Sequence, residues 1–462
     1  MSSSPRHRAA QVLTACYDGQ RIGQAMLDEL QAAKPLAPAD AGLCAELVLG
    51  VQRHRITCEH LAAHFYRGRW ESLRPSLRVI LALGVYQLCW LDRIPAHAAV
   101  DESVRLAKTH GRGALATANA VLRKIAEICG TVLESPPPAE MHRRWLQIDE
   151  VRGRLFEEDV FPDRTRRPLD YLVAATGHPM FLVEHWHRRF KPQRCLQICL
   201  AGMLRPKLIL RANSRRITPQ ALLQRLQSTD SSAEFVKGTQ AIALRDSPPI
   251  VQLPEFLEGL CQPQDSTAQI PVQMAAPKSS EIVLDLCAGV GTKSTQAAEI
   301  MNDEGVVIAS DTDSAKLARI EESAHRLGLA SLRICPAESL AADLGEIPRK
   351  PDVILVDAPC SNTGVLARRP DARYRASQKA INSLVALQRE ILNHAASIAG
   401  PSTRIVYSTC SIEQEENEEQ AAWFIAQRPE WRIANECLTL PDVERNGGYA
   451  VSFLPSKKAP LF

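Results

Sequence analysis

Long hydrophobic runs, an export signal and paired cysteines are all missing from this 462-residue sequence. The longest apolar run, Val79 to Leu91, is interrupted by Gln87 and is too short to span a bilayer. The N-terminus MSSSPRHRAAQVL has no apolar stretch followed by a cleavage site, so we expect neither export nor membrane association. The thirteen cysteines include no CxxC pair, which disfavours a disulfide framework or a zinc site. We therefore expect a cytoplasmic protein that binds no metal.

The sequence also lacks a strong excess of charge of one sign. Its formal net charge is +3, and its 45% hydrophobic and 23% charged residues are typical of globular proteins. A chain of this length can form two or three domains, each with its own core. Residues 141–216 are the exception, because they contain sixteen Lys and Arg against eight Asp and Glu. This segment is either a solvated face or a surface that follows an RNA backbone, and the sequence leaves both open.

The first quarter of the chain has the periodicity of helices. Apolar residues recur at spacings of three and four from Arg6 to about Ala126, without the alternation typical of strands. The prolines of Ser135-Pro136-Pro137-Pro138 end this pattern, so we predict an all-α domain over 1–134 and a linker over 135–165. Residues 166–270 mix short helical and strand patterns, and we interpret them as a small α+β region.

Strand and helix patterns alternate from Glu281 onward. Each strand is a nearly continuous apolar run, which indicates a mostly parallel sheet covered on both faces. We therefore predict an α/β, Rossmann-like domain over 271–462, in which ligands bind beyond the carboxyl ends of the strands. The predicted strands are EIVLDLC, GVVIASD, SLRICPAE, DVILVDAPC and RIVYSTC.

The first of these strands leads into a glycine turn. Gly289 and Gly291 allow a sharp turn close to a ligand, and Asp311 follows roughly twenty residues later, where a carboxylate can bind ribose hydroxyls. A helix N-cap is the alternative role for Asp311. Together these features indicate a nucleoside cofactor. Nicotinamide dinucleotide is an alternative, but the loop lacks the usual third glycine and contains Lys293 instead.

Two later strands end in cysteines, in Asp357-Ala-Pro-Cys360 and in Thr409-Cys410. In the usual order of such a sheet these strands are neighbours, so both thiols lie at the edge that carries the glycine turn. A thiolate that adds to C6 of cytosine makes C5 nucleophilic toward a sulfonium methyl group. Asp357 could protonate or hydrogen-bond N3, with the charge of Lys293 nearby, and a second thiol could assist release. The spacing alone does not decide which thiol attacks.

Three motifs that carry these residues resemble those of the RNA cytosine-C5 methyltransferases of the RsmB/Sun type. The motifs are LDLCAGVGTKS, LVDAPCSNTGVLARRPD and YSTCSIEQEENEE. LGVYQLCWLDRIPAHAAVDESVRLAK and ANAVLRKI resemble the NusB-like helical RNA-binding domain of the same proteins, and QDSTAQ resembles their Gln-Asp segment. The resemblance extends over nearly the whole chain. It implies a cofactor, S-adenosyl-L-methionine, and a 16S rRNA substrate.

The resemblance also implies roles for individual residues. Cys410 would attack C6, Cys360 would help to release the product, and Asp357 and Lys293 would contact the base or the cofactor. The third acidic cofactor contact would be Glu338, after a shift of one residue. The loop Ala288-Gly-Val-Gly-Thr-Lys-Ser294 departs from the family's Ala-Ala-Pro-Gly-Gly-Lys-Thr. The residues expected to bind the cofactor are Cys287, Ala288, Gly289, Val290, Gly291, Thr292, Lys293, Asp311, Glu338 and Asp357.

Two charged segments lie next to these motifs. We interpret Arg368 to Arg375 as residues placed to hold substrate, within which Tyr374 either stacks on a base or packs internally. The acidic run Glu413–Glu419 is interpreted as the first turn of the last helix, where carboxylates favour the positive end of the dipole. Asn446-Gly-Gly-Tyr449 is interpreted as structural.

We therefore expect a monomeric S-adenosylmethionine-dependent rRNA cytosine-C5 methyltransferase that acts on an unstacked cytosine. A tRNA enzyme of the same chemistry is one alternative. A non-catalytic RNA-binding factor for ribosome assembly or antitermination is another, and the altered glycine loop favours it.

Overall fold

The computed structural model describes residues 4–17, 23–228, 232–245 and 248–456. The chain divides into two compact units. The first is Met1–Arg205 with Leu366–Ala376, and the second is Pro206–Val365 with Ser377–Phe462. Residues 1–3 and 457–462, which bound the predicted first and last domains, lie outside the described residues. The predicted domain boundaries at 134, 165 and 270 stay predictions.

Helices form most of the first unit, as the periodicity of its sequence predicts. Several begin at a proline, whose fixed φ and missing N–H suit the first helical position. The fourth helix is buried almost all round and lies at the centre of the core. The six helices are α1 Pro5–Ala15, α2 Gly23–Ala33, α3 Pro38–Phe65, α4 Pro75–Trp90, α5 Ala96–Ala107 and α6 Arg112–Ile128.

A small antiparallel sheet follows these helices, in the order β1-β3-β2. Its strands are β1 Val132–Leu133, β2 Trp145–Gln147 and β3 Gly153–Leu155. Leu146, Phe156 and Phe161 from this part of the chain are buried in the helical core. The segment 135–165 is thus an integral part of the first unit rather than a simple linker, because its apolar side chains complete that core. Three more helices, α7 Pro168–Thr176, α8 Met180–Arg189 and α9 Pro192–Met203, follow it.

The second unit begins with a small α+β region, as predicted. Its four short strands form an antiparallel sheet in the order β5-β6-β4-β7. The elements are β4 Leu208–Ala212, α10 Pro219–Gln227, β5 Glu234–Phe235, β6 Ile242–Leu244, α11 Pro254–Leu257 and β7 Cys261–Pro263.

The rest of the second unit is an α/β domain with a seven-stranded sheet, in the order β10-β9-β8-β11-β12-β14-β13. The first five strands in this order are parallel, and β14 and β13 are antiparallel, which confirms the predicted mostly parallel sheet. The strands are β8 Ile282–Asp285, β9 Val306–Asp311, β10 Leu332–Pro336, β11 Val353–Asp357, β12 Arg404–Thr409, β13 Trp431–Thr439 and β14 Gly448–Pro455. The helices are α12 Ser266–Ala275, α13 Thr292–Ile300, α14 Ser314–Leu327, α15 Leu340–Glu346, α16 Gln378–Ile398 and α17 Glu418–Gln427.

The central strands are buried on both faces. On β11, Ile354 and Val356 belong to one hydrophobic cluster, while Val353 and Leu355 belong to another. Successive side chains of a strand point to opposite faces, so each cluster lies on its own side of the sheet. This arrangement explains why the strands read as continuous apolar runs. Among the described helices, none is both long and apolar enough to cross a membrane.

Candidate active site

The carboxyl ends of four parallel strands place the predicted site residues at one edge of the large sheet. Asp285, Asp311 and Asp357 are the last residues of β8, β9 and β11, and Thr409 is the last residue of β12. β11 and β12 are direct neighbours, with Asp357 opposite Ser408, as predicted. Cys360, three residues after Asp357, and Cys410, directly after Thr409, therefore lie at the same edge of the sheet.

Cys360 and Cys410 are in contact. Their Sγ atoms are 3.3 Å apart, and both cysteines are free thiols. Cys360 is 9% exposed, whereas Cys410 is only partly buried. The contact with the Cys410 sulfur, together with burial, raises the pKa of Cys360 well above its usual value. Ionisation of the Cys360 thiol is therefore disfavoured.

Asn362 is a third partner of this pair, and it was not among the predicted site residues. Its Oδ1 atom lies 3.3 Å from Cys410 Sγ, and its Nδ2 atom donates to the Cys360 carbonyl oxygen at 2.7 Å. Its φ of 61° lies in the left-handed region, which Asn tolerates better than most residues. An Asn after a Pro-Cys pair is the signal that could have identified it.

Buried Lys293 and partly exposed Asp357 form an ion pair next to the thiols. Lys293 Nζ is 2.6 Å from Asp357 Oδ2, and Ser408 Oγ donates to Asp357 Oδ1 at 2.9 Å. Burial by itself lowers the pKa of Lys293, but the Asp357 carboxylate outweighs it, and the pKa is raised. The ammonium group thus stays charged beside Asp357 and close to Cys410. Ser408 was not predicted, since a Ser within an apolar strand carries no clear signal.

The glycine turn has room on one side only. Gly289 has φ +57°, and a Cβ there would meet nothing within 4 Å. Gly291 has φ +79°, and a Cβ there would meet Ile320 of α14 at 2.9 Å. Gly289 therefore borders open space that a ligand could enter, while Gly291 allows α13 to start close against α14.

Asp311 is tied to this turn. Its Oδ2 atom accepts a hydrogen bond from the Gly289 amide at 2.9 Å, and Lys316 Nζ lies 3.5 Å from its Oδ1 atom. The N-cap of α14 is Asp313, whose side chain accepts from Ala315 and Lys316, so the alternative role considered for Asp311 belongs to its neighbour. Glu338 is exposed, two residues beyond the end of β10, which lies beside β9 in the sheet.

Asp285 is a buried carboxylate behind the turn that the motif analysis did not select. Its Oδ2 atom accepts from Ser294 Oγ at 2.7 Å, and its Oδ1 atom has no hydrogen-bond partner among the described residues. Burial raises its pKa to about 6. A nucleoside cofactor with an amino group needs hydrogen-bond acceptors and open space. The unpartnered oxygen of Asp285 and the carboxylate of Asp311 are such acceptors, and the space beside Gly289 is open. The residues present fit such a cofactor.

The sequence-based interpretation of the acidic run Glu413–Glu419 is only partly correct. Glu418 and Glu419 do lie in the first turn of α17, but Glu416 is fully buried before that helix. Its carboxylate accepts hydrogen bonds from the Ser361 amide at 2.9 Å, from Ser361 Oγ, and from Gln388 Nε2 at 3.0 Å. Glu416 therefore holds the loop that carries Cys360. The interpretation of the whole run as a helix start was wrong, because the buried amide that Glu416 satisfies comes from a distant part of the chain.

The arginines after the Pro-Cys loop were also partly misread as a substrate surface. Arg373 is fully buried in the first unit, where it donates to the carbonyl oxygens of Arg53, Gly177 and Gly202 at 2.6 to 2.9 Å. Tyr374 donates its hydroxyl to the Gln52 carbonyl oxygen, and the Arg55 guanidinium lies 3.7 Å from the centre of its ring. Both residues therefore pack internally, and the alternative of a base-stacking Tyr374 is not supported.

Three known protein families match parts of this chain. Residues 272–461 match the 16S rRNA methyltransferase RsmB/F family, and residues 3–127 match the NusB family. Residues 178–251 match the ferredoxin-like domain of the RsmF/B-like methyltransferases. These matches confirm the resemblance drawn from the sequence.

Similar proteins are also found at full length. The probable ribosomal RNA small subunit methyltransferase B of Synechocystis sp. is 31% identical over 89% of this chain and 86% of its own. That of Bacillus subtilis is 29% identical over 93% of this chain and 90% of its own. Among solved structures, a methyltransferase homologue from Pyrococcus horikoshii is 25% identical, with a TM-score of 0.54, over 62% of this chain and 98% of its own.

Proposed function

The chain belongs to the RsmB/F family of 16S rRNA methyltransferases, and from this premise we propose that it methylates carbon 5 of a cytosine in 16S rRNA. We further propose that the reaction uses S-adenosyl-L-methionine and passes through a covalent bond between Cys410 and C6 of the cytosine. The observation that carries this proposal is the contact of two free thiols beside the Lys293–Asp357 ion pair at the carboxyl edge of the sheet. These groups suit a reaction in which a thiol attacks a nucleobase and the nucleobase is then released.

Cys410 is the nucleophile in this proposal. Its sulfur adds to C6, and the electron pair of the C5–C6 bond moves toward N3 and makes C5 nucleophilic. The raised pKa of Cys360 supports this assignment, because it disfavours the thiolate that Cys360 would need in order to attack. The Lys293 ammonium group adds positive charge near the attacking sulfur.

Asp357 compensates the charge that develops on the ring. Asp357 would act here in its protonated form: the carboxyl proton passes to N3, and Lys293 and Ser408 then stabilise the carboxylate that is left through its two oxygens. After methyl transfer, a base removes the C5 proton, the Sγ–C6 bond breaks, and Cys410 leaves as the thiolate. Cys360, in contact with that sulfur, would assist this last step.

The cofactor would supply an electrophilic methyl group. Residues 287–293 of the glycine turn, with Asp311, would hold it at the edge of the sheet, and the open side of Gly289 supports this placement. Asp357 and Glu338 complete the proposed contacts.

Transfer of a labelled methyl group tests the proposal. Purified protein is incubated with methyl-labelled S-adenosylmethionine and 16S rRNA that lacks modifications, and bisulfite sequencing then locates any 5-methylcytosine. We expect a single protected cytosine in an unpaired or loop region, since C6 is inaccessible in a stack. Transfer to tRNA but not to 16S rRNA would favour the tRNA alternative. Loss of both transfer and cofactor binding would favour a non-catalytic RNA-binding factor.

A further inference from the structure

A polar cavity of about 600 Å³ lies in the second unit, outside the residues assigned to catalysis. Its walls come from α12, α13, the turn between β5 and β6, and the loop before β14. Its size is in the usual range for small-molecule sites. The polar residues that line it include Ser266, Gln269, Gln273, Gln296, Thr239 and Arg445.

One wall residue of this cavity, Thr267, lies close to the loop of Cys410. Thr267, a lining residue, donates its hydroxyl to the Asn446 carbonyl oxygen at 2.8 Å. A Cβ at Gly448 would lie 3.2 Å from Thr267 Cγ2 and 3.7 Å from Cys410 Cα. A single glycine therefore separates the cavity wall from the backbone of the proposed nucleophile, and the turn interpreted as structural forms part of that boundary.

The walls offer hydrogen bonds but little net charge. Arg211 lies in the cavity wall, but Glu299 neutralises it at 2.7 Å, and the Thr292 carbonyl oxygen takes another of its donors at 3.0 Å. Hydroxyl and amide groups make up most of the remaining polar lining. Such groups can donate to and accept from base edges and ribose hydroxyls without requiring a charged ligand.

Within the described part of the chain, the hydroxyl of Ser266 lacks a hydrogen-bond partner that another molecule could supply. Its side chain is 6% exposed, and among the described residues its Oγ atom has no hydrogen-bond partner. A buried hydroxyl without a partner is unfavourable unless another molecule supplies one. At the rim, Arg445 is half-buried, and its Nε atom lies 3.4 Å from Asp442 Oδ2, which leaves the two terminal nitrogen atoms of the guanidinium to meet a phosphate.

We propose that this cavity binds an unpaired nucleotide next to the target cytosine of the RNA. Ser266, Gln269 and Gln273 bond its base and ribose, and Arg445 faces its phosphate. The inference rests on the proposed function for the position of the cytosine at Cys410. It adds a second recognition site, which selects the sequence or the unpaired state of the neighbouring nucleotide.

RNA affinity tests the proposal without requiring turnover. The dissociation constant for unmodified 16S rRNA is measured by filter binding for the full-length protein and for Ser266→Ala, Gln273→Ala and the double variant. Gln224→Ala is the matched control, because Gln224 is likewise an exposed helical glutamine but does not line the cavity. We expect about a tenfold weaker affinity for the double variant, as for the loss of roughly one well-formed hydrogen bond, and no change for Gln224→Ala.

Ultraviolet crosslinking of the same complex gives an independent result. Crosslinks between peptides of α12 or Arg445 and a nucleotide adjoining the methylated cytosine would support the proposal. Unchanged affinity in Ser266→Ala, Gln273→Ala and the cavity-filling variant Gln273→Trp would overturn it. Failure of the wild-type protein to transfer methyl groups would overturn the proposed function, whereas the affinities would still decide whether the cavity binds RNA.

Discussion

Cys410 and Cys360 have the same side chain, but the surrounding residues give the two thiols different exposure and different reactivity. Cys360 is buried and its pKa is raised, whereas Cys410 is partly exposed and contacts Asn362. The proposed division of labour follows from this difference, since the thiol that keeps its proton is the poorer nucleophile.

Single substitutions test the two roles. We predict that Cys410→Ala abolishes methyl transfer and the covalent complex with RNA, because it removes the sulfur that bonds to C6. Cys360→Ala should instead accumulate a complex that survives electrophoresis in dodecyl sulfate. Cys437→Ala, at a half-buried cysteine of β13, is the control and should behave like the wild type. A complex that accumulates in Cys410→Ala would show that the roles are exchanged.

Asp285 gives a prediction about pH. Because its pKa in the folded protein, about 6, is above the usual value of 3.8, its contribution to stability is present below about pH 4. That contribution is lost as the pH rises through about 6, and we expect wild type to lose roughly 3 kcal/mol relative to Asp285→Asn over this range. Urea denaturation of both proteins at several pH values measures the difference. The prediction would be contradicted if the free energy of unfolding changed with pH in the same way for the two proteins.

At the scale of elements, the two cysteine loops depend on residues that follow them in sequence. Glu416 holds the loop of Cys360 through the Ser361 amide, and Gln388 of α16 donates both to Glu416 and to the Pro359 carbonyl oxygen. Asn417 also donates to the Ser411 carbonyl oxygen at 3.0 Å, just after Cys410. The acidic segment thus fixes the distance between the two thiols.

Removal of the Glu416 carboxylate should therefore affect both stability and activity. We predict that Glu416→Ala lowers the free energy of unfolding by about 3 kcal/mol, because the Ser361 amide loses its partner and the buried Gln388 side chain loses one of its two acceptors. Methyl transfer should fall as the Cys360 loop loosens. Glu419→Ala, an exposed position in the same run, is the matched control. Equal effects of the two substitutions on thermal denaturation and transfer would contradict this assignment.

The two glycines of the turn should respond differently to alanine. We predict that Gly289→Ala costs only about 1 kcal/mol of stability, from its left-handed backbone, but weakens cofactor binding by narrowing the open space. Gly291→Ala should cost more, since its methyl group would also meet Ile320 at 2.9 Å. Calorimetric binding of S-adenosylmethionine and thermal denaturation separate the two effects. If neither variant binds S-adenosylmethionine more weakly than the wild type does, the cofactor binds elsewhere.

At the scale of the whole molecule, the division into units does not follow the order of the chain. Leu366–Ala376 follows the Pro-Cys loop in sequence, yet it belongs to the first unit. Arg373 is the centre of this arrangement, since three carbonyl oxygens from three different segments accept its hydrogen bonds. The first unit is therefore complete only when this later segment is present.

We predict that Arg373→Met destabilises the first unit by about 3 kcal/mol, because buried carbonyl groups lose their charged donor. Hydrogen exchange should then increase for amides of α3, α7 and α9. Arg369→Met is the control, because Arg369 is exposed in the same segment. Unchanged exchange in those three helices would contradict the prediction.

Local pattern determined much of the fold and the composition of the candidate site. Apolar runs at strand spacing and helical periodicity depend on neighbouring residues, so the helical first part and the parallel sheet could be read from the sequence. The adjacency of Cys360 and Cys410 followed only when the usual strand order of such sheets was assumed. The motifs also pointed to Lys293 and Asp357, which the structure pairs at 2.6 Å.

Only the tertiary structure decided the fate of the charged side chains around that site. The sequence presents Glu416 and Arg373 as surface residues within an acidic and a basic run, but both are fully buried. Their hydrogen-bond partners, Ser361 for one and Arg53, Gly177 and Gly202 for the other, lie far away along the chain. A charged group is buried only where such partners meet it, and that meeting is a property of the folded chain rather than of any local pattern.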